Sequence, residues 1–317
     1  MKRFMMKVVI LIAFTCIIML GIVSFDRYII GGQYKLSYQA SLVDKIERLE
    51  SINESKIILV GNSNLSFGIY SDQIEEDIGM PVVNLGLHGG LGNAFHEEIA
   101  KLNINEGDIV IVCHSNYEDE DVISDPELAW VTYDYNENVW PIIRKKDYLT
   151  MLKAYPAYLR DSYYLWITRR GNLETGDVYS RSAFNQYGDV IAKDDAEQMN
   201  TDEFFKENKI SVPSINDTCI NRLNILNQYC KDRGATLLIA GYPIAYGEYS
   251  EFSEKDFDVF QSELASRFDG VVISDYSDYF FPYDYFYNTE LHLNEKGANA
   301  RTKQLIKDIK NWLNNNM

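Results

Sequence analysis

The stretch Lys56 to Gly68, KIILVGNSNLSFG, constrains the fold more than any other part of the chain. An apolar run, Ile57 to Val60, climbs straight into a Gly-Asn-Ser-Asn turn. A Val/Ile-rich run this short, bounded by glycine, reads as a strand buried on both faces, the habit of parallel sheets in α/β domains. A serine just beyond such a strand sits where open α/β sheets bind ligands, outside the carboxyl ends of their strands. Ser63 also has a plainer reading as a cap of the following turn, and the rest of the chain decides between the two.

The same pattern recurs downstream. Ser71 to Ile78 reads as a short helix, with Ser71 as N-cap and Gly79 at its stop. Pro81 to Asn84 is a second strand, ending in Asn84-Leu85-Gly86-Leu87-His88-Gly89-Gly90. Leu91 to Leu102 is helical, and Asp108 to Cys113 is a third buried strand. Asn216 caps a helix to Lys231, Thr236 to Ala240 is the fourth strand, Glu254 to Phe268 a helix, and Val271 to Ser274 the fifth strand. An aromatic loop, Tyr276 to Leu291, delivers His292, and Asn294 caps a last helix to about Leu313. Strands alternating with helices over 56–317 predict an α/β fold, a mostly parallel three-layer α/β/α sandwich with right-handed crossovers. The alternation fails from about 117 to 215, which reads as an aromatic-rich insertion at the sheet's ligand edge.

Residues 1–30 carry a membrane signal. Lys2, Arg3 and Lys7 precede an uncharged run, Val8 to Phe25, long enough to cross a bilayer as a helix. Positive charge before the run and acidic sequence after it predict a cytoplasmic N-terminus and a domain outside the cell membrane. A cleaved signal peptide is the competing reading, but no A-x-A-like site follows Gly21 to Phe25. Phe14-Thr15 before Cys16 is a poor lipoprotein site, so an uncleaved anchor is expected. Between 31 and 55, Leu36, Ala40, Leu42, Ile46 and Leu49 recur at near-helical spacing and predict a stalk helix.

Charge then removes some partners. The formal net charge of −17 argues against nucleic acid or anionic lipid, since both need a basic surface. Cys16 falls in the anchor, leaving Cys113, Cys219 and Cys230, too few for a disulfide framework. Cys219 and Cys230 lie three turns apart on one predicted helix, beyond bridging distance, and read as small core residues. His88, His96 and His114 match no zinc spacing, and no cofactor is expected. Glu118-Asp119-Glu120-Asp121 reads as a solvated loop.

Three strand ends thus hold polar sequence: Gly61-Asn62-Ser63-Asn64, Asn84-Leu85-Gly86 and His114-Ser115-Asn116, with His292 before the last helix. Acyl chemistry needs such a set. A serine hydroxyl requires a base to take its proton, and the tetrahedral oxyanion requires donors aimed at the developing charge. Ser63 and Gly86 backbone N–H groups and the Asn116 amide would supply donors. His292 also reads as a core histidine capping the last helix, and Gly86 as a turn glycine with positive φ.

In their order, Ser63 in a Gly-Asn-Ser turn, Gly86 in Asn-Leu-Gly, Asn116 after the third strand and His292 near the C-terminus resemble the SGNH (GDSL-like) hydrolase superfamily. Nearest are membrane-anchored members acting on exported polysaccharides, of the teichoic-acid D-alanylation and alginate acetylation type. The resemblance implies a flavodoxin-like fold with Ser63 as nucleophile, His292 as base, and Gly86 and Asn116 as oxyanion donors with Ser63. Asn64, His88 and Tyr117, beside the same strand ends, are the expected substrate contacts. Two departures stand out. The superfamily usually has Asp three residues before the histidine, where this chain has Thr289, and Asp where it has Asn62. Asn288, Glu290 and Asp284 are the candidates to orient His292, Asn288 only through its carbonyl.

The expected activity is therefore a serine esterase or O-acyltransferase working on an acylated glycan or small acyl ester. The resemblance also implies work beside a membrane-bound O-acyltransferase. A non-catalytic glycan-binding or assembly protein is the alternative, favoured by Thr289; a lipase lacks an obvious lid. The insertion's aromatics, Trp130, Tyr133, Tyr135, Trp140, Tyr155, Tyr158, Tyr163, Tyr164 and Trp166, read as subdomain packing or as a shelf for sugar rings.

Overall fold

The computed structural model describes residues 1–118, 122–134, 137–169, 178–191 and 200–316. Helix α1 (Lys2–Phe25) has no buried residue. With the π-helical turn that follows it, Lys2–Ile30 is long and apolar enough to cross a membrane. Gly31-Gly32 ends it. A Cβ at Gly31 would stand 2.8 Å from the Arg27 carbonyl oxygen, and Gly32 has a φ of 81°.

The remaining helices of the described chain are α2 (Ser41–Ser51), α3 (Ser63–Gly68), α4 (Ser71–Ile78), α5 (Asn93–Ala100), α6 (Pro126–Tyr133), α7 (Tyr148–Arg169), α8 (Thr201–Glu207), α9 (Asp217–Lys231), α10 (Glu254–Arg267) and α11 (Glu295–Asn316). The strands are β1 (Ile57–Val60), β2 (Val82–Asn84), β3 (Ile109–Val112), β4 (Thr236–Ile239), β5 (Ile244–Ala245), β6 (Val271–Val272) and β7 (Phe280–Phe281). One parallel sheet runs β2-β1-β3-β4-β6, with Ile57 beside both Val82 and Ile109. Counted along the chain, its strands lie in the order 2-1-3-4-5, that of flavodoxin-like doubly wound sheets. A small parallel pair, β5 with β7, was not expected from the sequence.

Period-two alternation sorts the sheet's side chains into two cores. Ile58, Val60, Val110, Val112, Leu237 and Ile239 face α2, α5, α9 and α10. Ile57, Leu59, Ile109, Ile111 and Leu238 face the other way, onto Leu65, Ile74, Leu305 and Ile309 of α3, α4 and α11. Helices therefore cover both faces, which explains why these strands read as unbroken apolar runs. Asn216 and Asn294 cap α9 and α11 as the sequence predicts, accepting the N–H groups of Cys219 at 2.7 Å and Gly297 at 3.1 Å. Cys219 and Cys230 are buried along α9, and neither forms a disulfide among the described residues.

Two expectations are corrected. The helix between 31 and 55 is no stalk: Leu42, Ile46 and Leu49 of α2 are at most 1% exposed in the main core, and Arg48 Nε donates to the Val82 carbonyl at 2.8 Å. Its apolar stripe is a core face because the edge strand β2 offers it cover. Ser71 does not cap α4 either. Its N–H and hydroxyl both go to the buried carboxylate of Asp189, at 2.8 and 2.6 Å, from the insertion. The insertion thus docks back on the sheet: Asn84 donates its N–H to Tyr187 O at 2.9 Å, and Val190 donates to Ser66 O at 2.8 Å.

Lys45 of α2 closes this junction, donating to the carbonyls of Asn84 at 3.0 Å and Gly188 at 2.6 Å. Burial pulls its ammonium down to about 7 from an ordinary 10.5, against an opposing attraction from Asp189. Between those values the unfolded chain holds a proton that the native chain lacks, so native stability rises with pH across that window. Below about 7 the buried charge is a standing penalty. The urea midpoint should climb from about pH 7 to about pH 10, and Lys45→Met should remove that climb. Equal pH slopes in both proteins would show that the native ammonium keeps its charge.

Candidate active site

The chain moves outward from β1 to β2 and then returns to place β3 on the other side of β1. The crevice at this switch point opens above the carboxyl ends of β1 and β3. Gly61 lets the two ends meet, since a Cβ there would stand 3.0 Å from the Cys113 carbonyl. Asn62 then caps α3, its Oδ1 accepting Asn64 N–H at 2.9 Å, and its Nδ2 donates to Ser115 Oγ at 2.9 Å. An aspartate could cap but could not donate, so Asn62 ties the two strand ends in a way an aspartate would not. Ser63 is the first residue of α3, with its N–H among the unclaimed donors of the helix start.

His292 arrives from the loop before α11. Its Nε2 lies 2.8 Å from Ser63 Oγ, and its Nδ1 lies 2.8 Å from Asn288 Oδ1. Asn288 Nδ2 donates to the Tyr179 hydroxyl at 2.7 Å, which points the amide oxygen at the imidazole. An acceptor at Nδ1 keeps the proton there and leaves Nε2 free to take the serine proton. Phe67 stacks on the imidazole, with ring centroids 4.0 Å apart and planes 8° apart. Thr289 Oγ1 accepts the N–H groups of Leu291 and His292, so Thr289 shapes the loop rather than the imidazole's charge.

The structure sorts the other expected residues. Glu290 is exposed and Asp284 pairs with Lys296 at 2.8 Å, which leaves Asn288 as the orienting group. Gly86 is not available as a donor, because its N–H is held by Asn84 Oδ1 at 2.9 Å while its carbonyl accepts from Ser66 Oγ at 2.6 Å. Its φ is not positive; glycine is needed because a Cβ would stand 2.7 Å from Ser66 N. Gly89, which the sequence reading passed over, lies against Asn62, and no acceptor among the described residues takes its N–H. Asn116 is exposed at the crevice, its Oδ1 accepting Glu118 N–H at 2.6 Å, so its NH2 is turned the other way.

Of the expected substrate contacts, His88 is exposed and caps the turn before Leu91, its Nδ1 accepting Gly90 N–H at 3.0 Å. Asn64 and Tyr117 are buried and cannot touch substrate. Asn64 Nδ2 donates to Cys113 O at 3.0 Å and to Asn62 Oδ1, while its own Oδ1 and carbonyl accept from Arg301 at 2.8 and 2.6 Å. Tyr117 is core, its hydroxyl 3.1 Å from that of Tyr276. His114 is likewise internal, 2.9 Å from Glu97, whose other oxygen accepts from Arg222 at 2.7 Å.

A cleft of about 770 Å³ opens beside the pair, lined by Asn62 next to Ser63 and Leu291 next to His292, with Gly89, Ser115, Asn116 and Tyr242. Glu118 and Glu290 lie on its rim; Asp119 to Asp121 fall outside the described residues. The insertion's aromatics line a different cavity. Trp130 lies against Tyr155, Tyr158 and Trp140, with centroids 4.9, 5.7 and 5.9 Å away, and all four surround the end of α1. Trp166 meets Phe25 of α1 edge-on, and Tyr133 is core; Tyr135 is outside the described residues. A sugar shelf beside Ser63 is therefore not what these rings build.

Because Asn62 both caps α3 and ties it to β3, Asn62→Ala should lower stability by about 1–2 kcal/mol in urea unfolding. Asn62→Asp keeps the acceptor and should lose less than half of that. Equal losses would place the stabilisation in the Ser115 contact rather than the cap.

No family model, no curated protein and no solved structure matches the chain, and the site is read from its own geometry.

Proposed function

We propose that this protein is a membrane-anchored serine esterase or O-acyltransferase of the SGNH type, acting on ester-linked acyl groups of a polysaccharide outside the cell membrane. The observation that carries the reading is the unbroken chain Ser63–His292–Asn288, in which both imidazole nitrogens are engaged at 2.8 Å. In the expected cycle, Ser63 Oγ attacks the ester carbonyl as its proton passes to His292 Nε2. The oxyanion is met by the N–H groups of Ser63 and Gly89 and by the Asn116 amide, each such donor contributing about 3 kcal/mol. Collapse breaks the acyl C–O bond, and the imidazolium gives its proton to the departing sugar oxygen. Water or a second sugar hydroxyl, deprotonated by His292, then takes the acyl group from Ser63.

The lining of the cleft beside Ser63 and His292 supports the substrate class. Among its lining residues, Ser115, Asn116 and Glu290 offer donors and acceptors to hydroxyl groups. α1, with Lys2, Arg3 and Lys7 before its apolar run, supports an anchor with its basic flank in the cytoplasm. A membrane-bound O-acyltransferase is the partner this arrangement would serve.

The test is turnover of p-nitrophenyl acetate, with fluorophosphonate labelling of Ser63 as a second readout. Ser63→Ala and His292→Ala should each lower kcat by about 10³-fold or more with folding retained. An unlabelled, inactive wild-type chain would favour the non-catalytic glycan-binding reading. Asn288→Ala should cost about 10²-fold or more, because nothing then fixes the tautomer. Asn288→Asp adds a charge that stabilises the imidazolium, so the acid limb of its pH–rate profile should move to higher pH. An unmoved limb would mean that Asn288 does not govern the base.

A further inference from the structure

The second large cavity, about 630 Å³, lies where α1 ends, between Asp26 and Arg27 on one side and Trp130, Asp134, Tyr155 and Tyr158 on the other. Asp26 is 8% exposed, and among the described residues only one of its carboxylate oxygens is satisfied: Oδ2 accepts the Tyr155 hydroxyl at 2.8 Å, whereas no described group donates to Oδ1. A buried carboxylate oxygen without a donor is costly, and a ligand that brings one relieves it. Asp134 lines the same cavity, its oxygens accepting the Tyr158 hydroxyl at 2.5 Å and Gly32 N–H at 3.2 Å.

These groups together describe a ligand. Carboxylates set among Trp and Tyr rings suit an ammonium group. Arg27 and the exposed Lys35, both lining the cavity, suit a phosphate. Met19 and Val23 carry apolar surface from the same cavity down α1. Beside it, a groove between α1 and α7 is walled by Ile18, Ile22, Phe25, Leu159 and Tyr163, and α7 exposes Leu149, Leu152, Tyr164 and Ile167. Tyrosine and apolar side chains exposed on a helix beside a membrane span are the dress of the bilayer interface.

We propose that this cavity binds the headgroup of a phosphoethanolamine lipid, with the ammonium at Asp26 and Asp134, the phosphate at Arg27 and Lys35, and the acyl chains along Met19 and Val23. The inference rests on α1 spanning the membrane, as in the proposed function. An anionic glycerol headgroup would bring no cation to Asp26 and would meet a chain of net charge −17.

The test uses the full chain in detergent micelles with equal amounts of phosphatidylethanolamine and phosphatidylglycerol, read by native mass spectrometry. One phosphatidylethanolamine should be retained in preference, and Asp26→Asn and Lys35→Glu should each reduce that retention about tenfold. Lys35 is exposed and away from the Ser63 cleft, so Lys35→Glu should fold and keep wild-type ester turnover. Equal retention of the two lipids, a preference for phosphatidylglycerol, or retention unchanged by both variants overturns the site. Carbonate extraction of membranes separates the two levels of the argument. A chain that leaves the membrane refutes the anchor and the site with it, whereas one that stays but shows no lipid preference refutes the site alone.

Discussion

The carboxyl ends of β1 and β3 are held against each other by a short set of contacts on which the rest of the site hangs. Gly61 permits the approach to Cys113, Asn62 reaches across to Ser115, and Asn64 reaches across to the Cys113 carbonyl. Arg301, fully buried in α11, then grips Asn64 from the far side and also reaches Gly241 O at 3.3 Å after β4. A guanidinium has the fork geometry to serve several carbonyls at once, which a lysine lacks. Burial drags its pKa down, and its hydrogen bonds to oxygen are what make the burial tolerable. The Ser63 turn is thus fixed from three strand ends, and the switch-point topology leaves the space above it open.

His292, the base of the proposed reaction, is set on a different logic from the familiar carboxylate-backed histidine. Asn288 supplies orientation and tautomer but no charge, so the imidazolium must be stabilised by other means. Phe67 lies flat on the ring at 4.0 Å, and an aromatic face over a cation contributes roughly 0.5–2 kcal/mol. That is smaller than what a buried carboxylate gives. A weaker base would suit the proposed reaction, whose leaving group is a sugar hydroxyl and whose acyl-Ser63 would have to survive long enough to meet a second hydroxyl. Thr289 cannot take over the charged role, because its hydroxyl is already committed to the loop's own N–H groups.

The strands were legible because burial on both faces writes an unmistakable apolar run, and Ser63 and His292 stood out because each adjoins a structural punctuation mark, Ser63 just after a strand end and His292 just before a helix cap. What escaped was decided by three-dimensional hydrogen bonding. Gly86 and Gly89 are equally plausible in sequence; only the capture of Gly86 N–H by the Asn84 side chain separates them. Asn64 and Tyr117 adjoin the site in sequence but turn inward, one under Arg301 and one beside Tyr276. Tyr179 has no local signature at all, since it meets Asn288 across 109 positions of chain. The periodicity of α2 was right, but periodicity says that an apolar face exists and not what covers it.

The insertion joins features that sequence order keeps apart. Its α6 and α7 hold the foot of α1, and residues 178–191 return to the sheet beside the relay. The chain leaving α1 meets that return segment directly: Ser37 bridges Ser180, Arg181 N–H donates to Leu36 O at 3.0 Å, and the Arg181 guanidinium grips Asp44 at 2.6 Å. Tyr179, which holds Asn288, is therefore one residue from a contact with the stretch that follows the anchor. A serine on a freely swinging domain would sample many heights and tilts above a bilayer. Here short, direct contacts run from the end of α1 to the histidine, so the orientation of the cleft relative to α1 is set by the fold itself. In the proposed function, where the acyl group is presented at a membrane, that fixed geometry would do part of the work that substrate binding would otherwise have to do.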